Sequence, residues 1–261
     1  VYTIVEIPDV GWGAAQTLIL GAVSLVLLAG FVARQRTAAT PLMALRIFRS
    51  RNVTGANVVQ VLMIAGLFGM FFLGALYMQG IQGYSPVEVG LAYLPVALLI
   101  GGVSMWVADK MIMRFGARRV LITGLSFVLV GLLLFTRVPL EATYATDLLP
   151  TMVLFGLGAG LSFPSLMTLA MSGATPEDAG LASGLVNTTQ QVGGALGLAV
   201  LSTFSATHTE DRLAHGASAA VAAVDGYQLA FIIGAGFAAT AIALAVTVLE
   251  PTPELEIEEL P

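Results

Sequence analysis

Seven stretches of the chain, approximately residues 17–33, 54–79, 89–108, 120–136, 148–171, 179–206 and 227–249, contain no Asp, Glu, Lys or Arg. The hydrocarbon core of a bilayer, about 30 Å thick, takes roughly 20 helical residues to cross, and each stretch is close to that length. Lipid offers a backbone no hydrogen bonds, so only helices and closed barrels span it. Long uninterrupted apolar runs predict helices. The predicted fold class is therefore an all-α transmembrane bundle with seven spans. Composition agrees: 57% of the 261 residues are hydrophobic and 10% are charged, with a mean hydropathy of +0.90. A soluble domain of this size has no use for so much apolar surface. With no Cys, a disulfide framework and a thiolate metal site are excluded.

Charge placement predicts orientation. The loop between the first two spans holds Arg34, Arg36, Arg46, Arg49 and Arg51. The loop between the third and fourth holds Lys110, Arg114, Arg118 and Arg119. Only Arg137 and Arg212 fall on the other side. The positive-inside rule assigns the first group to the cytoplasm. The N-terminal end is then outside, and the acidic tail, residues 250–261, is cytoplasmic and expected to be disordered. Cations confined to helix ends do not suggest a nucleic-acid surface. The opening VYTIVEIPD reads as the end of an earlier span, so the sequence is expected to be part of a longer protein. The domain reading is residues 1–53 (tail of an earlier span, a linker helix at about 17–33, a basic cytoplasmic loop), a six-helix bundle over 54–249, and the tail. The basic stretch PLMALRIFRSR (41–51) reads either as an amphipathic segment on the cytoplasmic interface or as a plain loop.

The sixth span organises the rest. On a helix, Gly180, Ser183, Gly184, Asn187, Gln190, Gln191 and Gly194 fall within about 60° of one line, with Leu185, Val192, Leu196 and Val200 opposite. Amides in hydrocarbon need partners, so the first face is expected against other helices or a wet cavity. In the second span Asn57 and Gln60 share a face with Phe68, Phe71, Ala75, Met78 and Gln79, while Tyr77 points the other way. That face suits either a permissive ligand cavity or ordinary helix packing. In the fifth span Gly156 and Gly160 permit close helix approach, and Pro164 is expected to kink the helix, as is Pro95 in the third. His208, Glu210, Asp211 and His215 fall in an expected outer loop, 207–226, and read as solvated residues rather than as metal ligands. No catalytic constellation is evident. Gly180-Leu-Ala-Ser183-Gly184 is one residue too long for a rhomboid-type serine motif, and no span contains His. His-Glu-x-x-His is absent, and no span carries the Lys a retinal protein needs.

Three stretches, FGMFFLGALYMQGIQGYSPVEVGLAYLP (68–95), RFGARRVLITG (114–124) and PEDAGLASGLVNTTQQVGGALGLAVL (176–201), resemble the major facilitator superfamily. More narrowly, they resemble the C-terminal portion of its fourteen-span drug:proton antiporter branch, the multidrug resistance transporters. The resemblance implies that spans two to seven form the C-terminal six-helix bundle and that span one is a linker helix. It also implies alternating access against a missing N-terminal half, a small amphiphilic substrate, a multi-pass place in the cell membrane, no cofactor, and a proton gradient as energy source. Asp109, Arg114, Gly116 and Arg118 resemble the family's cytoplasmic loop signature, but its aspartate position is occupied by Met113. The spans hold no carboxylate or histidine, so proton coupling is expected in the absent half. Asn57, Gln60, Phe68, Phe71, Asn187, Gln190 and Gln191 are the candidate cavity residues. Gly156, Gly160, Pro164, Gly180, Gly184 and Gly194 are the candidate packing and conformational ones. The alternatives are a non-transporting membrane scaffold and an exporter of one specific metabolite.

Overall fold

A computed structural model of the protein describes residues 15–37, 45–173, 175 and 178–250. Among these residues the regular structure is entirely helical. We number the long helices α1 (Ala15–Thr37), α2 (Arg51–Gly80), α3 (the run Pro86–Phe115), α4 (Ala117–Phe135), α5 (Tyr144–Met171), α6 (Ala179–Ala214) and α7 (Ala219–Thr247). All except α6 are both long and apolar enough to cross a membrane. The longest helix, α6, has 36 residues but falls short in apolarity, because Asn187, Thr188, Thr189, Gln190 and Gln191 interrupt its apolar run. The protein is an all-α membrane protein with several spans.

α2 is the hub. Ser50 caps its start, its hydroxyl accepting from the Val53 amide. It then packs against α5, α6 and α7. Val59, Met63, Ile64, Met70 and Met78 are fully buried around it. Tyr77 is fully buried as well, so opposite sides of α2 are both interior. The two-faced helix expected from the sequence is replaced by one surrounded on most sides. α4 and α5 meet along glycines: a Cβ on Gly158 would stand 2.7 Å from the Gly124 carbonyl, so the backbones touch. Phe135 of α4 meets Phe231 of α7 edge-on, with ring centroids 4.8 Å apart.

α3 is irregular. Its helix pauses at Tyr93, ahead of Pro95, and resumes from Leu94. A wider π turn follows at Ser104–Ala108, where the Ser104 hydroxyl donates to the Gly160 carbonyl at 3.0 Å. Gly116, at φ 82°, makes the turn into α4. By contrast α5 stays helical through Pro164. The apolar side chains of α1 are largely exposed; Leu25, Val26 and Leu27 are each 68–69% accessible.

One expectation is corrected. The predicted outer loop 207–226 is mostly helix: α6 continues to Ala214 and α7 begins at Ala219. A charged residue does not by itself end a helix. Here Arg212 of α6 bridges Asp225 of α7 at 2.6 Å, holding the two extensions together. The α7 helix therefore carries a carboxylate near its N-terminal end, which the shorter predicted span lacked. Within 41–51, Leu45–Arg49 forms a 3-10 turn in which Ile47 is buried against Val53 and Ala182. Residues 38–44, 1–5 and the tail from 251 lie outside the described residues.

Candidate functional site

The polar face of α6 divides between a buried and an open side. On the buried side, the Thr189 hydroxyl donates to Asn57 Oδ1 at 2.9 Å, and Asn57 Nδ2 donates to the Val53 carbonyl at 2.7 Å. One turn on, Gln60 Nε2 donates to the Val186 carbonyl at 3.2 Å, while Gln60 Oε1 is buried without a partner. Asn57 and Gln60 are 4% and 2% exposed. They join α2 to α6 and do not face an open cavity. Thr189 completes the pair. In the sequence it reads as one more mid-helix threonine and gives no sign of this role. Further along, small residues take over. A Cβ on Gly193 would lie 2.9 Å from the Val61 backbone, and one on Gly197 would lie 2.2 Å from the Ala65 Cα.

On the open side, Asn187, Gln191 and Gly184 are exposed and Gln190 is half-buried. A Cβ added at Gly180 or Gly184 would meet nothing within 4 Å. Gly194 lies against the ring of Phe68, about 3.1 Å from where its Cβ would be. Phe68 itself is 42% exposed, which brings α2 to the margin of this wall. Phe71 does not join it: its ring packs on Tyr93 of α3, with centroids 5.0 Å apart. Elsewhere, Gly156 and Gly160 pack α5 onto Leu99 and Val103 of α3. Pro164 is half-buried within α5.

At the basic end, the Arg118 side chain reaches the C-terminal turn of α7. Its Nε donates to the Ala245 carbonyl at 3.0 Å, and its Nη2 donates to Val246. A guanidinium there satisfies carbonyls that the helix leaves open and meets the negative end of its dipole. Arg114 lies over the Phe115 ring, 5.2 Å from the centroid. Asp109 is exposed and makes no ion pair among the described residues. Of the four signature positions, Gly116 makes the turn and Arg118 ties two helices together.

The opposite end has a cluster that the sequence did not disclose. Tyr77 donates to the Pro139 carbonyl at 2.5 Å. Gln82 Nε2 donates to the Tyr77 hydroxyl and to the Leu140 carbonyl, and Gln82 Oε1 accepts from the Ala142 amide. Gln228 Nε2 donates to the Val138 carbonyl. The α4–α5 connection is thereby fastened to α2 and α7. His208, Glu210 and Asp211 lie on α6; among the described residues no three potential metal ligands come together.

An all-helical bundle of long apolar helices is that of a polytopic membrane protein. The chain belongs to the Major Facilitator Superfamily, whose family model matches residues 8–198. It is 35% identical over 240 residues to the puromycin resistance protein pur8 of Streptomyces alboniger, covering 91% of this chain and 48% of that protein. It is 36% identical over 200 residues to the cephamycin export protein CmcT of Amycolatopsis lactamdurans, covering 76% and 41%. To the multidrug resistance protein Stp of Mycobacterium tuberculosis it is 31% identical over 201 residues, covering 77% and 37%. The chain thus spans about half or less of the length of these relatives.

Proposed function

We propose that the chain is the C-terminal half of a secondary active transporter that exports amphiphilic drugs or other small molecules by proton-coupled alternating access. The observation that carries this reading is the open wall of α6. Asn187 and Gln191 are exposed on a charge-free stretch, with room beside Gly180 and Gly184. Leaving such amides unpaired in hydrocarbon costs several kcal/mol each, on the order of 4–8. They call for a polar partner: another set of helices, or a water-filled path along which a substrate moves. Phe68 adds an aromatic surface at the margin.

The basic ends belong in the cytoplasm on this reading. On this reading the coupling acid belongs to the absent half; Asp225, inside α7, is already engaged by Arg212. A second reading, export of one particular metabolite, is favoured by the relative named for cephamycin export.

The test uses everted vesicles holding either this chain or the longer protein that contains it. Efflux of fluorescent cations is followed under an imposed proton gradient. Transport by the longer protein alone, with a substrate profile altered by Gln191→Leu or Phe68→Ala, supports the proposal. Proton-driven efflux by this chain alone refutes the placement of the coupling group. Transport of a single compound favours the metabolite exporter, and no transport of any compound in a broad panel favours a scaffold.

A further inference from the structure

The basic end of α3 carries an arrangement that none of the foregoing uses. Lys110 and Arg114 stand one helical turn apart, both exposed, in the regular segment Asp109–Phe115. Neither makes an ion pair among the described residues. Arg51 and Arg212 each have a carboxylate, and Arg118 is engaged by α7. Like charges at this spacing repel. Trp106 precedes them by one turn and is 71% exposed. Together with Val107, Met111 and Phe115 these three side chains line a shallow groove of about 340 Å³.

We propose that this groove seats the headgroup and upper acyl chain of an anionic phospholipid, in the leaflet nearest the basic loops. Lys110 and Arg114 supply charge for the phosphate; Arg114 is held to one side by its contact with Phe115. Trp106 lies about one turn deeper than Lys110 along the helix. That is the level at which an indole, apolar in body and polar at its N–H, sits in a membrane interface. Val107 and Met111 continue the groove as an apolar wall, which suits a chain attached to the phosphate and has no use for a free ion. The groove is anchored: Ser104, at the start of the π turn that carries Trp106, is bonded to Gly160 of α5.

The test exploits the indole. The chain has two Trp. Trp12→Phe leaves Trp106 as the sole tryptophan of the full chain, which is reconstituted into vesicles and excited selectively at the indole band. Quenching is measured with phosphatidylglycerol brominated on its acyl chains, and then with phosphatidylcholine brominated in the same way. A preference for the anionic lipid of about fivefold per participating charge is expected. Lys110→Gln with Arg114→Gln should bring the ratio close to one, and Lys110→Arg should retain it. Both substitutions are on an exposed face, and unchanged helix content by circular dichroism confirms the fold. Relief of quenching by added inorganic phosphate would show a free-anion site instead. Equal quenching by the two lipids, or a preference unmoved by the double substitution, overturns the assignment. So does a Trp106 that neither lipid quenches, since protein would then cover the groove.

Discussion

The Thr189 hydroxyl and Asn57 Oδ1 lie 2.9 Å apart across the α2–α6 seam, where Asn57 is buried and Thr189 half-buried. Such a pair stabilises helix association in a membrane because the separated groups find few other partners. Interhelical bonds of this kind contribute about 0.6 kcal/mol on average, up to about 1.7. Thr189→Val removes the donor at nearly constant shape, and Asn57→Leu removes the acceptor. A double-mutant cycle, with unfolding followed in bicelles, should return a coupling of about 1 kcal/mol. A coupling indistinguishable from zero would mean that the seam is held by backbone packing alone.

That packing makes its own prediction. A Cβ at Gly197 would lie 2.2 Å from the Ala65 Cα, a backbone atom that cannot move without its helix. A Cβ at Gly184, on the same helix, meets nothing. Gly197→Ala should therefore destabilise the bundle by roughly 1–3 kcal/mol, as overpacking does. Gly184→Ala should be neutral or slightly stabilising in this chain. Thermal unfolding in detergent separates the two. Equal effects would contradict the close approach of α6 to α2.

Arg118 acts from a distance in sequence: its guanidinium closes the end of α7 through Ala245 and Val246. Arg118→Gln removes the charge that meets the helix dipole, at a cost of about 0.3–2 kcal/mol. The loss should be local. Hydrogen exchange in residues 244–248 should accelerate while the α2–α6 seam keeps its protection. Uniform acceleration across the bundle would show that Arg118 supports the whole fold.

The fold was legible because charge-free length is a strong signal: all seven apolar segments coincide with long helices. Their ends were less legible, since charged residues such as Glu210 and Arg212 continue a helix as readily as they end one. The polar face of α6 was also visible in helical spacing. Its division was not. Gly184 and Gly197 are the same residue type on one helix, one open and one in contact with backbone, and only tertiary packing separates them. Asn57 and Gln60 were found by type but are interhelical bonds; Thr189, their partner, carries no signature of its own. The Arg118 contact joins positions 127 residues apart, beyond the reach of any local pattern.

The cluster at the opposite end gives the remaining test. Tyr77 is fully buried, and its hydroxyl both donates to Pro139 and accepts from Gln82. Tyr77→Phe keeps the ring and removes both bonds, leaving the Pro139 carbonyl without this donor. The expected destabilisation is about 1–3 kcal/mol, the upper part applying if water does not replace the hydroxyl. Gln82→Ala removes three bonds from a side chain nearer the surface, where water replaces them more easily, so its effect on global stability should be smaller. Both variants should loosen the α4–α5 connection, seen as faster protease cleavage between residues 137 and 143. If Tyr77→Phe lowers stability with cleavage unchanged, the hydroxyl supports the packing of α2 and not the connection.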